Sequence, residues 1–289
     1  MTASAFRPRR SLIFVPGDKP QMFPKALRTG ADIVCIDLED AVARGDKDDA
    51  RERTVALFAE HGPGDPDGPE RQVRINSLHT PEGLKDITAF VDAPVPPPAL
   101  MIAKVKSRGE IVLLDDLLGE CGMDTRFHVM IETNEALDAA YAIAQASDRI
   151  DSLVFGAIDM AADLRTTPTW ENMFYARSRV VHAAAGAGVD LLDVPWLDLE
   201  DMEGLEREAR AAASLGVTGK AAIHPKQIPI LNEVFCPSAE EIERARSIIA
   251  AFENATGGLA VIDGKLIEKP VLRSMQRVVA IAERIVERT

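Results

Sequence analysis

The stretch FHVMIETNEALDAAYAIAQASDRIDSLVFGA (residues 127–157) decides the fold. It opens on a short apolar run, FHVMIE (127–132), continues through helix-compatible sequence over Asn134–Gln145, and closes on a second short run, SLVFGA (152–157). A strand, a crossover helix and a second strand form the unit that joins parallel neighbours. Outward from this unit the same kind of run recurs as SLIFVP (11–16), DIVCID (32–37), QVRIN (72–76), ALMIAKV (99–105), DLLDVP (190–195) and GKAAIH (219–224). Eight such runs separated by helical sequence predict an α/β fold, a (β/α)8 TIM barrel, whose chemistry sits at the C-terminal strand ends and in the loops after them. Here those ends read Pro16-Gly17, Asp37-Leu38-Glu39-Asp40, Arg74, Lys104, Glu132, Asp159, Asp193 and His224.

Helices are expected over Lys47–Glu60, Pro81–Val91, Arg108–Leu118, Ala176–Ala185 and Leu199–Leu215, the last closing on Gly216. After the eighth strand, S-A-E-E (238–241) is a capping box opening a further helix. A Gly-punctuated hairpin (257–270) and an amphipathic helix from Val271 follow. The chain therefore divides into a barrel core, 1–237, and a C-terminal extension, 238–289, that serves as packing or as a lid. At 289 residues the chain exceeds a bare barrel of roughly 250 by about that much.

A net charge of −13 argues against a nucleic-acid surface, and no stretch approaches the roughly 20 apolar residues of a membrane span. The basic N-terminus lacks the long apolar segment of a secretory signal, so a cytoplasmic location is expected. Cys35, Cys121 and Cys236 have neither metal nor disulfide spacing and read as reduced thiols. Arg7, Arg9, Arg10, Lys19, Lys25 and Arg28 concentrate positive charge in the first 28 residues. They read as a site for a phosphorylated small molecule or as a solvated tail.

Glu132 and Asp159 fall at the ends of consecutive strands, about 4.8 Å apart in a parallel sheet, where two carboxylates converge on one ion. Hard oxygens with room for water suit Mg2+, and the lack of a His or Cys cluster argues against zinc. The plainer reading makes each a helix cap. Arg74, inside an apolar strand, offers a fork to substrate oxygens or pairs with Asp37 or Glu39. Asp37, Glu39 and Asp40 are expected to orient metal-bound water, Arg74 or a lysine. His224, before Pro225, reads as a base or as a hydrogen-bonding structural residue.

R-R-S-L-I-F-V-P-G (9–17), K-A-L-x-x-G-A-D (25–32), D-L-E-D-A-V (37–42), V-R-I-N (73–76), I-E-T (131–133), G-A-x-D-x-A-A-D-L (156–164), G-K-x-A-I-H-P (219–225) and V-I-D-G-K-x-I (261–267) together resemble the citrate lyase β-subunit-like family. That family includes malyl-CoA, β-methylmalyl-CoA and citramalyl-CoA lyases. The resemblance implies a Mg2+-dependent carbon–carbon lyase that forms homotrimers or homohexamers and acts on a CoA thioester with release of a small 2-oxoacid. It places the metal on Glu132 and Asp159, substrate oxygens on Arg74, and CoA along Phe14, Pro16, Lys19 and Lys25. It also implies a lid that covers a neighbouring subunit's site with a catalytic Asp. The matching segment reads L-I-E-K-P (266–270), so Glu268 stands in that place, and Lys106 stands where the family carries an acid. Two alternatives remain open: thioester hydrolysis at the same site, and a citrate lyase β-subunit working on an acyl-carrier-protein thioester within a complex.

Overall fold

The computed structural model of the chain describes residues 7–253, 260–262, 265–267 and 269–286. Eight strands, β1 (Ser11–Pro16), β2 (Ile33–Asp37), β3 (Glu70–Ile75), β4 (Ala99–Ile102), β5 (Arg126–Ile131), β6 (Ile150–Phe155), β7 (Asp190–Asp193) and β8 (Gly219–Ala222), pair in parallel with their successors. β8 returns to β1 through Ser11↔Lys220, Leu12↔Ala221 and Ile13↔Ala222, so the sheet closes into the expected TIM barrel.

The helices are α1 (Phe23–Ala26), α2 (Lys47–His61), α3 (Pro81–Val91), α4 (Arg108–Glu120), α5 (Asn134–Ala144), α6 (Ala157–Asp163), α7 (Trp170–Ala187), α8 (Met202–Leu215) and α9 (Ile228–Val234). Their boundaries follow local chemistry. Thr80, Thr133 and Asp201 accept from the third backbone N–H beyond them and start α3, α5 and α8. Gly188 and Gly216 end α7 and α8 in the left-handed conformation. Two differences from the sequence reading matter. α7 begins at Trp170 rather than Ala176, because Thr169 caps it. α6, unforeseen, places Asp159 in a first helical turn instead of at the end of β6.

Register sorts the side chains. Partners across a parallel pair point to the same face, so Phe14↔Cys35, Cys35↔Gln72 and Asp37↔Arg74 put all these residues on one side. Leu12, Ile33, Cys35, Met101, Ala103, Met130, Val154, Leu192 and Ala221 form one buried cluster drawn from seven strands, which is feasible only inside the barrel. Truncating such a side chain to alanine typically costs about 2–5 kcal/mol. The opposite parity, including Ile13, Val34, Val73, Leu100, Val129 and Leu153, is buried and points out toward the helices. Asp37 and Arg74, on the inward parity, and Glu132, just past β5, thus reach the C-terminal rim of the interior.

The N-terminal rim is a separate, sealed network. Arg9 spans Glu70 (2.9 Å), Asp151 (2.9 Å) and Asp190 (3.2 Å), and His128 bridges Glu70 (2.5 Å) and Ser152 (2.6 Å). Burial would raise the Glu70 pKa, but His128 and Arg9 outweigh it and hold the carboxyl well below its usual range. Arg10 binds Asp32 through Nε and Nη2. Arg9 and Arg10 are therefore bottom-of-barrel clamps, which corrects their reading as part of a phosphate-binding patch.

The barrel unit runs Arg9–Asn232, and the chain after it belongs to a second compact unit. That unit holds α10 (Ala239–Glu253), an antiparallel pair of strands, β9 (Ala260–Ile262) and β10 (Lys265–Ile267), and α11 (Lys269–Val286). Ile248 of α10 is buried against Val271 and Met275 of α11. Among the described residues no helix is long and apolar enough to cross a membrane.

Candidate active site

The C-terminal mouth gathers most of the acids expected there. Arg74 grips Asp37 with both prongs, Nε donating to Oδ1 (2.8 Å) and Nη2 to Oδ2 (2.6 Å), while Nη1 lies 3.1 Å from Glu39 Oε2. The guanidinium sits 5.0 Å over the Phe14 ring, so one inward aromatic and one carboxylate fix its plane. Burial disfavours its charge, but Asp37 and Glu39 outweigh that and keep Arg74 firmly cationic. Asp37 is itself held by the backbone N–H groups of Glu39 (2.9 Å) and Ala41 (3.1 Å). The structural pairing of Arg74 is thus real, and it leaves Nη1 as the prong directed at the other acids.

Glu132 is 1% exposed, and its two oxygens differ. Oε1 accepts the Lys104 backbone N–H at 2.7 Å, whereas Oε2 is buried without a hydrogen-bond partner. An orphaned buried carboxylate oxygen costs several kcal/mol unless a cation arrives. Asp159 Oδ2 lies 2.5 Å from Lys104 Nζ, and that ammonium is also 3.8 Å from Glu132 Oε2 and 3.8 Å from Glu39 Oε1. Glu132 and Asp159 thus both face the ammonium of Lys104, which lies between them. Burial pushes Glu132 up to about 7, against the pull of Lys104, and pushes Glu39 up to about 8, against the pull of Arg74.

The approach of β5 and β6 ends requires Gly156, the N-cap of α6. A Cβ there would stand 2.5 Å from Glu132 Cβ and 2.7 Å from Oε2. Four residues the sequence reading passed over shape the loop after β2. Lys47 Nζ donates to the carbonyls of Leu38 (2.9 Å) and Glu39 (2.8 Å), and Asn76 Nδ2 donates to Leu38 O (3.0 Å). Asp86 accepts from Asn76 and from Arg51 Nε (2.7 Å). Asn76, directly after Arg74-Ile75 in V-R-I-N, was the available signal.

Other expected residues are placed less centrally. Asp40 is mostly exposed and reaches Arg74 only at 3.9 Å. Lys19 and Lys25 are exposed on the segment between β1 and β2, and Pro16 is half-buried at the end of β1. His224 caps the turn after β8, its Nδ1 accepting from Lys226 N (3.1 Å), which is the structural role. Asp193 and Lys220 point outward between barrel and helices, joined at 2.9 Å and flanked by Arg177 and Glu208. Glu268 lies outside the described residues. Among the described residues no group of three or more His, Cys, Asp or Glu is placed to hold a metal ion.

Residues 10–225 match the HpcH/HpaI aldolase/citrate lyase family, a span that covers the barrel and every mouth residue just described. The chain belongs to that family. It is therefore, by family, a carbon–carbon lyase. The citrate lyase subunit beta of Leuconostoc mesenteroides subsp. cremoris is 34% identical, over 96% of this chain and 94% of its own length. A mitochondrial citramalyl-CoA lyase of Rattus norvegicus is 31% identical over 97% of this chain and 88% of its own. Among solved structures, CitE of Mycobacterium tuberculosis in complex with magnesium, acetoacetate and coenzyme A superposes with a TM-score of 0.78 at 30% identity, covering 96% of this chain and 99% of that one.

Proposed function

We propose that the chain catalyses Mg2+-dependent, reversible cleavage of the carbon–carbon bond in a carboxylated 3-hydroxyacyl-CoA of the malyl-CoA or citramalyl-CoA type. The products are acetyl-CoA and glyoxylate or pyruvate. The observation that supports this reading best is the pairing of Glu132 and Asp159 around one cation, the ammonium of Lys104, with Arg74 Nη1 3.1 Å from Glu39, which faces the same ammonium. The donor set fits Mg2+: two hard carboxylates, Glu132 bearing an orphaned buried oxygen and Asp159 partly exposed to solvent. The CitE protein at 30% identity was crystallised with magnesium and coenzyme A, which supports the same assignment.

Glu132 and Asp159 would hold the metal, which supplies Lewis acidity to the substrate's hydroxyl and carboxylate oxygens. The residues of the chain do the rest. Arg74, locked in plane by Asp37 and Phe14, donates from Nη1 to the thioester oxygen as electrons from the breaking bond enter the enolate. Its position is fixed before substrate arrives, so little reorganisation is needed at the moment of cleavage. As the carbon–carbon bond breaks, the substrate hydroxyl becomes the carbonyl of the 2-oxoacid and gives up its proton to solvent. Glu268 is assigned the second proton transfer: its carboxyl protonates the enolate carbon to give acetyl-CoA, or removes that proton in the condensing direction. Phe14, Pro16, Lys19 and Lys25 line the path assigned to CoA, the two lysines meeting its phosphates. We further assign the active form to a cytoplasmic homotrimer or homohexamer in which Glu268 reaches a neighbour's site.

One observation keeps a second reading in play. Glu268 is one methylene longer than the family aspartate, and a longer carboxylate can aim water at the thioester carbonyl. Product analysis on malyl-CoA separates the two. Acetyl-CoA with glyoxylate establishes the lyase; free CoA with intact malate establishes a thioesterase and refutes the lyase assignment. The relationship to citrate lyase subunit beta raises a third, partner-dependent role on an acyl-carrier-protein thioester. Turnover of a CoA thioester by the isolated chain excludes that requirement.

A further inference from the structure

Lys104 sits in the left-handed region at φ 55°, one of two non-glycine residues with positive φ among the described residues. A side chain in that region stores strain, which persists only where neighbouring contacts over-determine it. Here they do so in two ways. The turned backbone aims its N–H at Glu132 Oε1, and it folds the side chain back over the same carboxylate. The ammonium then meets Asp159 at 2.5 Å and stands 3.8 Å from both Glu132 and Glu39. On the far side of Glu39, Arg74 Nη1 lies 3.1 Å from Oε2, without a hydrogen bond to it.

Two of these three carboxylates are the pair assigned above to Mg2+. An ammonium and a divalent cation cannot share them, because like charges at that separation repel strongly in a partly buried site. We infer that Lys104 is a placeholder for the metal: its ammonium neutralises Glu132 and Asp159 while no metal is bound and must swing out to admit one, while its backbone N–H keeps Glu132 oriented throughout. The inference rests on the metal assignment made above. It makes Lys104 a positioning residue that sets metal affinity below what the two carboxylates alone would give.

The test uses the EDTA-stripped full-length protein titrated calorimetrically with MgCl2. Lys104→Met keeps the backbone N–H and removes the ammonium, and it is expected to bind Mg2+ about tenfold or more tightly than wild type. Lys104→Arg keeps the charge and is expected to show no gain. A second measurement on wild type does not depend on any variant folding: acetylation by an amine-reactive ester, followed by peptide mass spectrometry. Lys104 labelling should rise on adding Mg2+, while labelling of Lys106 stays level. Unchanged or weaker affinity in Lys104→Met, or Lys104 labelling that Mg2+ does not raise, overturns the placeholder role and leaves the metal assignment standing. Wild-type protein that binds no Mg2+ overturns both.

Discussion

Replacing Gly156 with alanine adds one methyl group at the point where α6 meets the end of β5. The new carbon would stand 2.5 Å from Glu132 Cβ and 2.7 Å from Glu132 Oε2. Carbon atoms in van der Waals contact prefer about 3.5–4.0 Å, so Glu132 must retreat by about 1 Å. Glu132 has nowhere convenient to go, since its Oε1 is tied to Lys104 N and its side chain is 1% exposed. Overpacking of this kind costs about 1–3 kcal/mol of stability, which a protein of this size survives. The functional cost is larger. A ligand displaced by about 1 Å loses about 10–100-fold in metal affinity, and the same misplacement costs about 100-fold in turnover. Calorimetric titration with MgCl2, acyl-CoA cleavage kinetics and a thermal melt on Gly156→Ala separate the effects. A folded variant with wild-type Mg2+ affinity and turnover would refute the claim that Glu132 Oε2 faces the metal.

Arg74→Lys keeps the charge but not the fork, and kcat should fall about 100- to 1,000-fold with far less change in KM, read from steady-state kinetics. Arg9→Ala removes the cation shared by Glu70, Asp151 and Asp190 at the opposite rim, leaving His128 on Glu70 and Arg126 on Asp151, and should cost about 3–5 kcal/mol in denaturant unfolding while Mg2+ affinity holds. Burial raises the pKa of Asp193, but Lys220 and Arg177 outweigh it and hold the carboxyl below its usual range. Its contribution is therefore present above the unfolded value of about 3.9 and lost as pH falls through the folded value. The stability gap between wild type and Asp193→Asn should accordingly narrow below about pH 4, and a gap constant with pH would contradict the pairing. Glu268→Gln and Glu132→Gln subunits should each be inactive yet regain partial activity when co-assembled, and near-normal turnover by Glu268→Gln alone would remove that carboxylate from the mechanism.

The barrel was legible because each strand is a compact apolar run, and β1 and α3 fall where their sequence signals place them. The nearness of Glu132 and Asp159, the pair we assign to the metal, was legible for a weaker reason: Glu132 follows a clear strand, and Asp159 shares a short motif with Gly156. What the pattern hid was geometry that periodicity does not encode. α6 is only seven residues long, too short to show an amphipathic repeat, so Asp159 was read onto the strand end. Arg9 looked like a ligand for phosphate because local charge says nothing about which distant acids, Glu70, Asp151 and Asp190, the closure of the barrel brings to it. Lys104 was visible as a strand-end cation, yet its left-handed backbone and its grip on three carboxylates arise only when β2, β5 and α6 converge.

The central claim is that two carboxylates at the barrel mouth hold a Mg2+ that the carbon–carbon cleavage requires. The most direct measurement is the rate of acetyl-CoA formation from malyl-CoA and citramalyl-CoA by EDTA-stripped protein, followed chromatographically as MgCl2 is restored, for wild type and Glu132→Gln. The account predicts no turnover without metal, recovery in wild type that saturates with Mg2+, and no recovery in Glu132→Gln. Acetyl-CoA released at the same rate with EDTA present would contradict it.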